Sequence, residues 1–286
     1  MNCSDYLSKQ LVKNGISQVF SVTGGGSMFL NQALDNNKKI KVNYFHHEQS
    51  VAIAAEGYWK ASKKIAALVV TTGPGGVNAL TGTYGSFVDS IPVLIISGQV
   101  RTSTNLRLQK LPLRQIGDQE LNTISVVKNF TKYCAMPRSV KELKIIFNKA
   151  FKIIKEQKYG PVWIDIPIDI QSQRIDSKFI KKYKSLDEVY NSNFIFNKKL
   201  ENKLQLQKKT KLLIQKLKKS KKPLILLGTG VRASETVKEI LKIANLFSIP
   251  VCTGWNAHDL VPYNHSCYVG KPGTVGDRPG NFAVFN

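Results

Sequence analysis

The carboxylate of Glu48 falls between two glycine-rich turns, Thr23-Gly24-Gly25-Gly26-Ser27 and Thr72-Gly73-Pro74-Gly75-Gly76. Turns of this kind, between a strand and a helix, direct backbone N–H groups toward a crevice where anions or the polar edge of a ring can bind. Neither turn is specific alone. Neither completes the G-x-G-x-x-G dinucleotide fingerprint, and neither carries the Lys-Ser/Thr ending of a phosphate-binding loop. Glu48 itself, in His46-His47-Glu48-Gln49, opens an Ala-rich helical stretch, where the helix dipole favours any carboxylate. The three features gain weight together, because each follows a segment of strand character. All of them therefore sit at carboxyl ends of strands, where open α/β sheets bind ligands.

The elements that must hold these residues alternate. Tyr6, Leu7, Leu11 and Val12 share one face of a helix over 2–14 that ends at Gly15. Strands are expected over 16–22 and 41–45, with a helix between them running from the first glycine turn to residue 34. An Ala-rich helix over 48–61 leads to the apolar run 66–70, which has the length and flanks of a buried parallel strand. After the second glycine turn come a helix reaching residue 88, a strand over 92–97, a helix over 140–155 and a strand over 162–166. This alternation predicts an α/β fold with a doubly wound, mostly parallel sheet covered on both faces, occupying residues 1–171. Residues 172–222 form a polar, Lys-rich connector with an exposed helix over 199–219. A second α/β domain begins at 223, with strands over 224–227 and 250–253, a turn at Gly228-Thr229-Gly230 and a helix over 234–247. It offers too few strands by Asn286 to close a sheet, so the chain is expected to be the front portion of a longer protein.

Composition narrows the class. With 42% hydrophobic residues the chain can build buried cores. No apolar run approaches the roughly 18 residues that span a bilayer. The start, Met1-Asn2-Cys3-Ser4-Asp5, has neither a basic nor an apolar leader region, so no membrane role and a cytoplasmic location are expected. Cys3, Cys134, Cys252 and Cys267 are scattered, without a C-x-x-C pair, and suggest reduced structural thiols. The net charge of +23 raises nucleic-acid binding, but its distribution argues against it. Residues 1–100 carry a net of +3 and residues 171–222 a net of +12, and only seven of the 42 basic residues are Arg, the side chain best suited to bidentate phosphate contacts.

The order of motifs says more than any one of them. Val19-Phe20, Gly24-Gly25, His47-Glu48-Gln49 and Ala54-Ala55-Glu56-Gly57-Tyr58 are followed by Thr71-Thr72-Gly73-Pro74-Gly75-Gly76-Val77-Asn78, Asp89-Ser90-Ile91-Pro92-Val93 and Ser97-Gly98-Gln99. This succession resembles the pyrimidine-binding domain of acetolactate synthase large subunits and their thiamine-diphosphate-dependent relatives. The run from Gly160-Pro161-Val162-Trp163 to Asp169-Ile170-Gln171 resembles the family's exit from that domain. Gly228-Thr229-Gly230 and Gly276-Asp277-Arg278-Pro279-Gly280 resemble the start of its central domain. The likeness covers nearly the whole chain apart from the Lys-rich connector.

The resemblance implies a thiamine-diphosphate-dependent transferase or lyase acting on 2-keto acids such as pyruvate, in the chemistry of branched-chain amino acid biosynthesis. In the family a Glu at the position of Glu48 bonds N1′ of the aminopyrimidine ring. Sharing a proton there favours the 4′-imino form, whose nitrogen can remove the proton from thiazolium C2. A partly desolvated carboxyl suits this role, since burial keeps its proton shareable near neutral pH. By the same resemblance Thr72, Pro74 and Asn78 would line the pyrimidine pocket. Gly25 and Gly26 would leave space for substrate, and Gln119, in Gly117-Asp118-Gln119-Glu120, would face it. Family members pair the pyrimidine domain of one subunit with the diphosphate domain of another, so a homodimer or homotetramer is implied.

Three departures qualify the likeness. The family's diphosphate and Mg²⁺ motif, Gly-Asp-Gly followed by Asn-Asn, is not found, since Gly117-Asp118 and Gly276-Asp277 each lack the second Gly. The chain alone is therefore expected to hold thiamine diphosphate weakly and to be inactive by itself, with Mg²⁺ bound through a further domain. The family's usual Pro-Gly-Gly reads Thr23-Gly24-Gly25 here, closer to an acetolactate-synthase-like branch than to the housekeeping enzyme. The family's FAD contacts lie largely beyond Asn286, so FAD is implied without residues. The alternative is a catalytically inert α/β binding or regulatory module of the same fold. A carboxylate at Glu48, which such a module does not need, argues against it.

Overall fold

A computed structural model describes residues 1–156, 158–175 and 203–286. The chain divides into two compact units, Met1–Phe196 and Asn197–Asn286.

In the first unit, β1 (Gln18–Ser21), β2 (Lys41–Tyr44), β3 (Ala66–Val70), β4 (Val93–Gln99), β5 (Tyr133–Ala135) and β6 (Val162–Pro167) form one sheet in the order β2-β1-β3-β4-β6-β5. Every pairing is parallel. The helices are α1 (Cys3–Lys13), α2 (Met28–Asp35), α3 (Glu48–Ser62), α4 (Pro74–Asn78), α5 (Leu80–Val88), α6 (Leu106–Gln109), α7 (Thr123–Val127), α8 (Val140–Ile154) and α9 (Ile168–Ser172). The pleat sends alternate residues to opposite faces. Val19, Val69, Leu94, Ile96 and Ile164 meet α1, α2 and α8 in one core, while Phe20, Leu68, Val70, Ile95 and Trp163 meet α3 and α7 in the other.

Chain direction explains where ligands can enter. From β1 the chain moves outward to β2, then returns past β1 to β3. Right-handed crossovers place α2 and α3 on opposite faces when the direction reverses, and the loops that follow β1 and β3 are where a sheet wound this way binds ligands. Those two loops are the glycine turns. The unit also closes on itself near its start: the Cys3 N–H donates to the Gln173 carbonyl (3.0 Å), the Ile175 N–H donates to the Met1 carbonyl (2.9 Å), and Asn2 bridges Arg174 antiparallel.

The doubly wound parallel sheet expected from the sequence is present, with element ends moved by a few residues. One expected helix is two. The stretch after the second glycine turn breaks at the buried Ala79 (φ −76°, ψ −10°), which separates α4 from α5. The three-residue strand β5 and the short helices α6, α7 and α9 were not expected, being too short to show periodicity.

The second unit holds the helix Lys203–Lys219, then β7 (Ile225–Leu227), β8 (Val251–Thr253) and β9 (Tyr268–Gly270), parallel in the order β7-β8-β9. Leu227, Ala244, Val251, Ala257, Leu260 and Val261 form its core. Residues 204–219 are exposed throughout, as expected for the helix of the connector, while residues 176–202 lie outside the described residues. Gly228-Thr229-Gly230 is not a free turn: Gly228 is the N-cap of a helix, Thr229–Ala233. The strand β9 and the helix Arg278–Phe285 were likewise unexpected. Among the described residues no helix is long and apolar enough to cross a membrane. All four cysteines are free, and burial pushes the Cys3 thiol up to about 12.

Candidate cofactor site

Glu48 is the first residue of α3 because His47 stops the helix there. His47 is extended (φ −151°, ψ 134°), and its Nδ1 accepts the Gln49 N–H at 3.1 Å, a histidine acting as N-cap. The Glu48 carboxylate is half-buried and has two different surroundings. Oε2 accepts from Asn78 Nδ2 at 3.0 Å, at the end of α4. Oε1 lies over Gly75, where an added Cβ would come within 3.2 Å of it.

The two glycine turns interlock above the sheet. The Gly26 N–H donates to Thr71 Oγ1 (3.0 Å). A Cβ on Gly24 would overlap the Thr71 side chain, and one on Gly26 would overlap Thr72 Oγ1. Beneath them Gly98, in β4, meets the Gly26 carbonyl with no room for a side chain. Gly73 has φ +56° and ψ −110°, a conformation only glycine holds without strain, and a Cβ there would strike the Gln119 carbonyl.

Each residue expected at the site therefore has a defined place. Glu48 and Asn78 are bonded to each other. Thr72 is buried and packs on Gly26. Pro74 heads α4 and is exposed. Gly25 faces open space, whereas Gly26 does not, since its missing side chain is what lets the two turns touch. Gln119 is exposed at φ +55°, and its carbonyl, rather than its amide, is the atom closest to Gly73.

A polar cluster behind the site was not anticipated. Asp165, fully buried in β6, accepts from Ser97 Oγ (2.6 Å) and Gln99 Nε2 (2.8 Å), and Trp163 Nε1 donates to Ser97 Oγ (2.7 Å). Burial pushes the Asp165 carboxyl up to about 6, against the lowering effect of the bonds from Ser97, Gln99 and Thr123. The signal for this cluster was available: Asp165, Ser97 and Gln99 interrupt otherwise apolar strands. An open cleft of about 650 Å³ between α1 and α2, edged by Lys9, Lys13, Lys38 and Lys39, contains none of the site residues.

Residues 1–124 match the model of the thiamine pyrophosphate enzyme N-terminal TPP binding domain, and residues 210–286 that of the thiamine pyrophosphate enzyme central domain. The chain belongs to the thiamine-diphosphate enzyme family. Among its relatives within this thiamine-diphosphate family is a probable acetolactate synthase large subunit from Methanocaldococcus jannaschii, 31% identical over 287 residues that cover 99% of this chain and 45% of the relative. The acetolactate synthase large subunit of Lactococcus lactis is 28% identical over 281 residues, 98% of this chain and 46% of the relative. Rice acetolactate synthase 1, chloroplastic (Oryza sativa subsp. japonica), is 35% identical over a shorter span, 59% of this chain and 25% of the relative. The chain thus spans a little under half the length of the curated relatives it matches end to end.

Proposed function

We propose that this chain supplies the aminopyrimidine-binding half of a cytoplasmic, acetolactate-synthase-like carboligase or decarboxylase that acts on 2-keto acids such as pyruvate with thiamine diphosphate. The observation that carries the reading is the Glu48 carboxylate, half-buried, held on one oxygen by Asn78, and facing the bare backbone of Gly75 with the other. The residues fit the flat ring for a physical reason: a side chain at Gly75 would crowd Oε1, and glycine leaves that oxygen room to meet a ring edge.

When bound, thiamine diphosphate supplies a nucleophilic carbon and a sink for the electrons released by decarboxylation. The protein's part is proton placement. Glu48 shares a proton with the ring nitrogen, and Asn78, donating to Oε2, turns Oε1 toward the crevice. Thr72 and Pro74 would border the same ring, the open space at Gly25 would admit the keto acid, and Gln119 would lie on the substrate side. Ile53 on α3, Val77 on α4, and Tyr84 and Val88 on α5 are exposed and support a second subunit packing here in a homodimer or homotetramer. Magnesium and FAD belong to the same reading, with no described residue assigned to either.

The test follows the proton. In the complete protein carrying this chain, C2–H exchange of bound thiamine diphosphate, followed by NMR in deuterated solvent, is expected to slow by about a hundredfold or more in Glu48→Gln. Wild-type exchange in that variant would remove Glu48 from the role.

A further inference from the structure

Three polar side chains, Asp165 of β6 and Asp169 and Gln171 of α9, each reach a different part of the candidate site. Asp165 holds Gln99, and the same Gln99 Nε2 donates to the Leu121 carbonyl (2.9 Å), two residues past Gln119. Asp169 accepts from the Thr102 N–H at 3.2 Å and from the Thr102 hydroxyl, fixing the other end of the connection that carries Gln119. Gln171 is fully buried, and its Nε2 donates both to the Ile166 carbonyl (2.7 Å) and to the Gly26 carbonyl (2.7 Å).

Packing does not explain these groups. Gln171 Oε1 is buried without a hydrogen-bond partner among the described residues. An orphaned buried oxygen is destabilising, and an apolar side chain of similar size would fill the position without it. Asp165 interrupts a strand whose neighbours Ile164 and Ile166 are apolar, and a buried carboxylate is a poor substitute for either. What both positions gain is an N–H donor delivered to a backbone carbonyl of a site loop: Gly26 directly from Gln171, and Leu121 through Gln99. The Gly98 backbone, against which Gly26 rests, and the Gly73 backbone, against which Gln119 rests, complete the two contacts.

We propose that Asp165, Asp169 and Gln171 are positioning residues: from one stretch of chain they set the first glycine turn and the Gln119 loop as walls of the candidate site, one on Thr72 and the other on Gly73 of the second glycine turn, touching no ligand themselves. The proposal rests on the cofactor reading of that site and deepens it.

Amide hydrogen exchange on the complete protein carrying this chain, with and without thiamine diphosphate and magnesium, tests it. Gln171→Leu is expected to quicken exchange across residues 24–27 about tenfold while residues 117–121 and strand β3 keep their rates. Asp165→Asn is expected to give the reverse pattern, and Asp169→Asn, at a half-buried residue, tests the same loop if Asp165→Asn fails to fold. Both wall-loosening variants are also expected to raise, about tenfold, the thiamine diphosphate concentration needed for half-maximal protection of the site. Even quickening across β4 and β6, unchanged loops, or loosened loops with an unchanged cofactor requirement overturns the proposal. A wild-type complete protein without any response to the cofactor counts against the cofactor reading alone, because the exchange pattern judges the ties without ligand.

Discussion

The hydrogen bond from Asn78 to Glu48 decides which carboxylate oxygen is left for a ligand, and it can be removed singly. Asn78→Ala is expected to keep the fold, since Asn78 is exposed, and to weaken thiamine diphosphate binding about tenfold, the worth of one hydrogen bond to a charged group, as read by calorimetric titration. The neighbouring glycines separate space from packing. Gly26→Ala is expected to lower stability by about 1–3 kcal/mol in urea unfolding, because its Cβ would overlap Thr72. Gly25→Ala, whose Cβ meets nothing, should leave the unfolding midpoint in place and, in the complete enzyme, act on the KM for the keto acid. At this scale the sequence was partly legible. Glu48, Asn78 and the turns were visible as residue types in order, but the different duties of Gly25 and Gly26 depend on what lies above each one, and that is set by Thr72 across a turn 46 residues away.

Strands β3, β4 and β6 were readable as apolar runs because a parallel sheet covered on both faces leaves no polar side to interrupt them. The same logic makes Asp165 conspicuous in retrospect, and gives it a thermodynamic signature. Its carboxyl, ordinarily near 3.8, is pushed up to about 6, so between those values the folded chain keeps a proton that the unfolded chain has released. Asp165 therefore favours folding most at low pH, and its contribution falls as pH rises through about 6, by on the order of 3 kcal/mol. Stability measured by urea unfolding from about pH 4 to about pH 7 is expected to lose this fall in Asp165→Asn; an identical pH profile would contradict the assignment. Elements of three to five residues, such as β5 and α9, stayed illegible because they span less than one useful period, and their place comes from the neighbours they pack against.

For the molecule, the doubly wound order β2-β1-β3-β4-β6-β5 follows from alternation and crossover handedness, which is why the fold class could be read without coordinates. The candidate site was placed by the same reasoning, at the carboxyl ends of β1 and β3 where the winding reverses. The second unit was less legible because its strands are three residues each and Gly228-Thr229-Gly230 reads equally as a turn or a helix cap. Among the described residues both cores of the first unit end by Ile175, and a chain of residues 1–175 is expected to unfold in one cooperative transition by circular dichroism. Ending it at residue 172 removes the bonds from Cys3 to Gln173 and from Ile175 to Met1, with an expected loss of about 1–3 kcal/mol.

Those same bonds bring residue 1 and residue 175 side by side. A peptide of a few glycines could join them, and new ends could be opened at the exposed loop of residues 111–116. Such a circular permutant would keep every strand neighbour while reversing which half of the sheet leaves the ribosome first. The fold would then be a graftable cassette, insertable into a host protein's surface loop without prying its two halves apart.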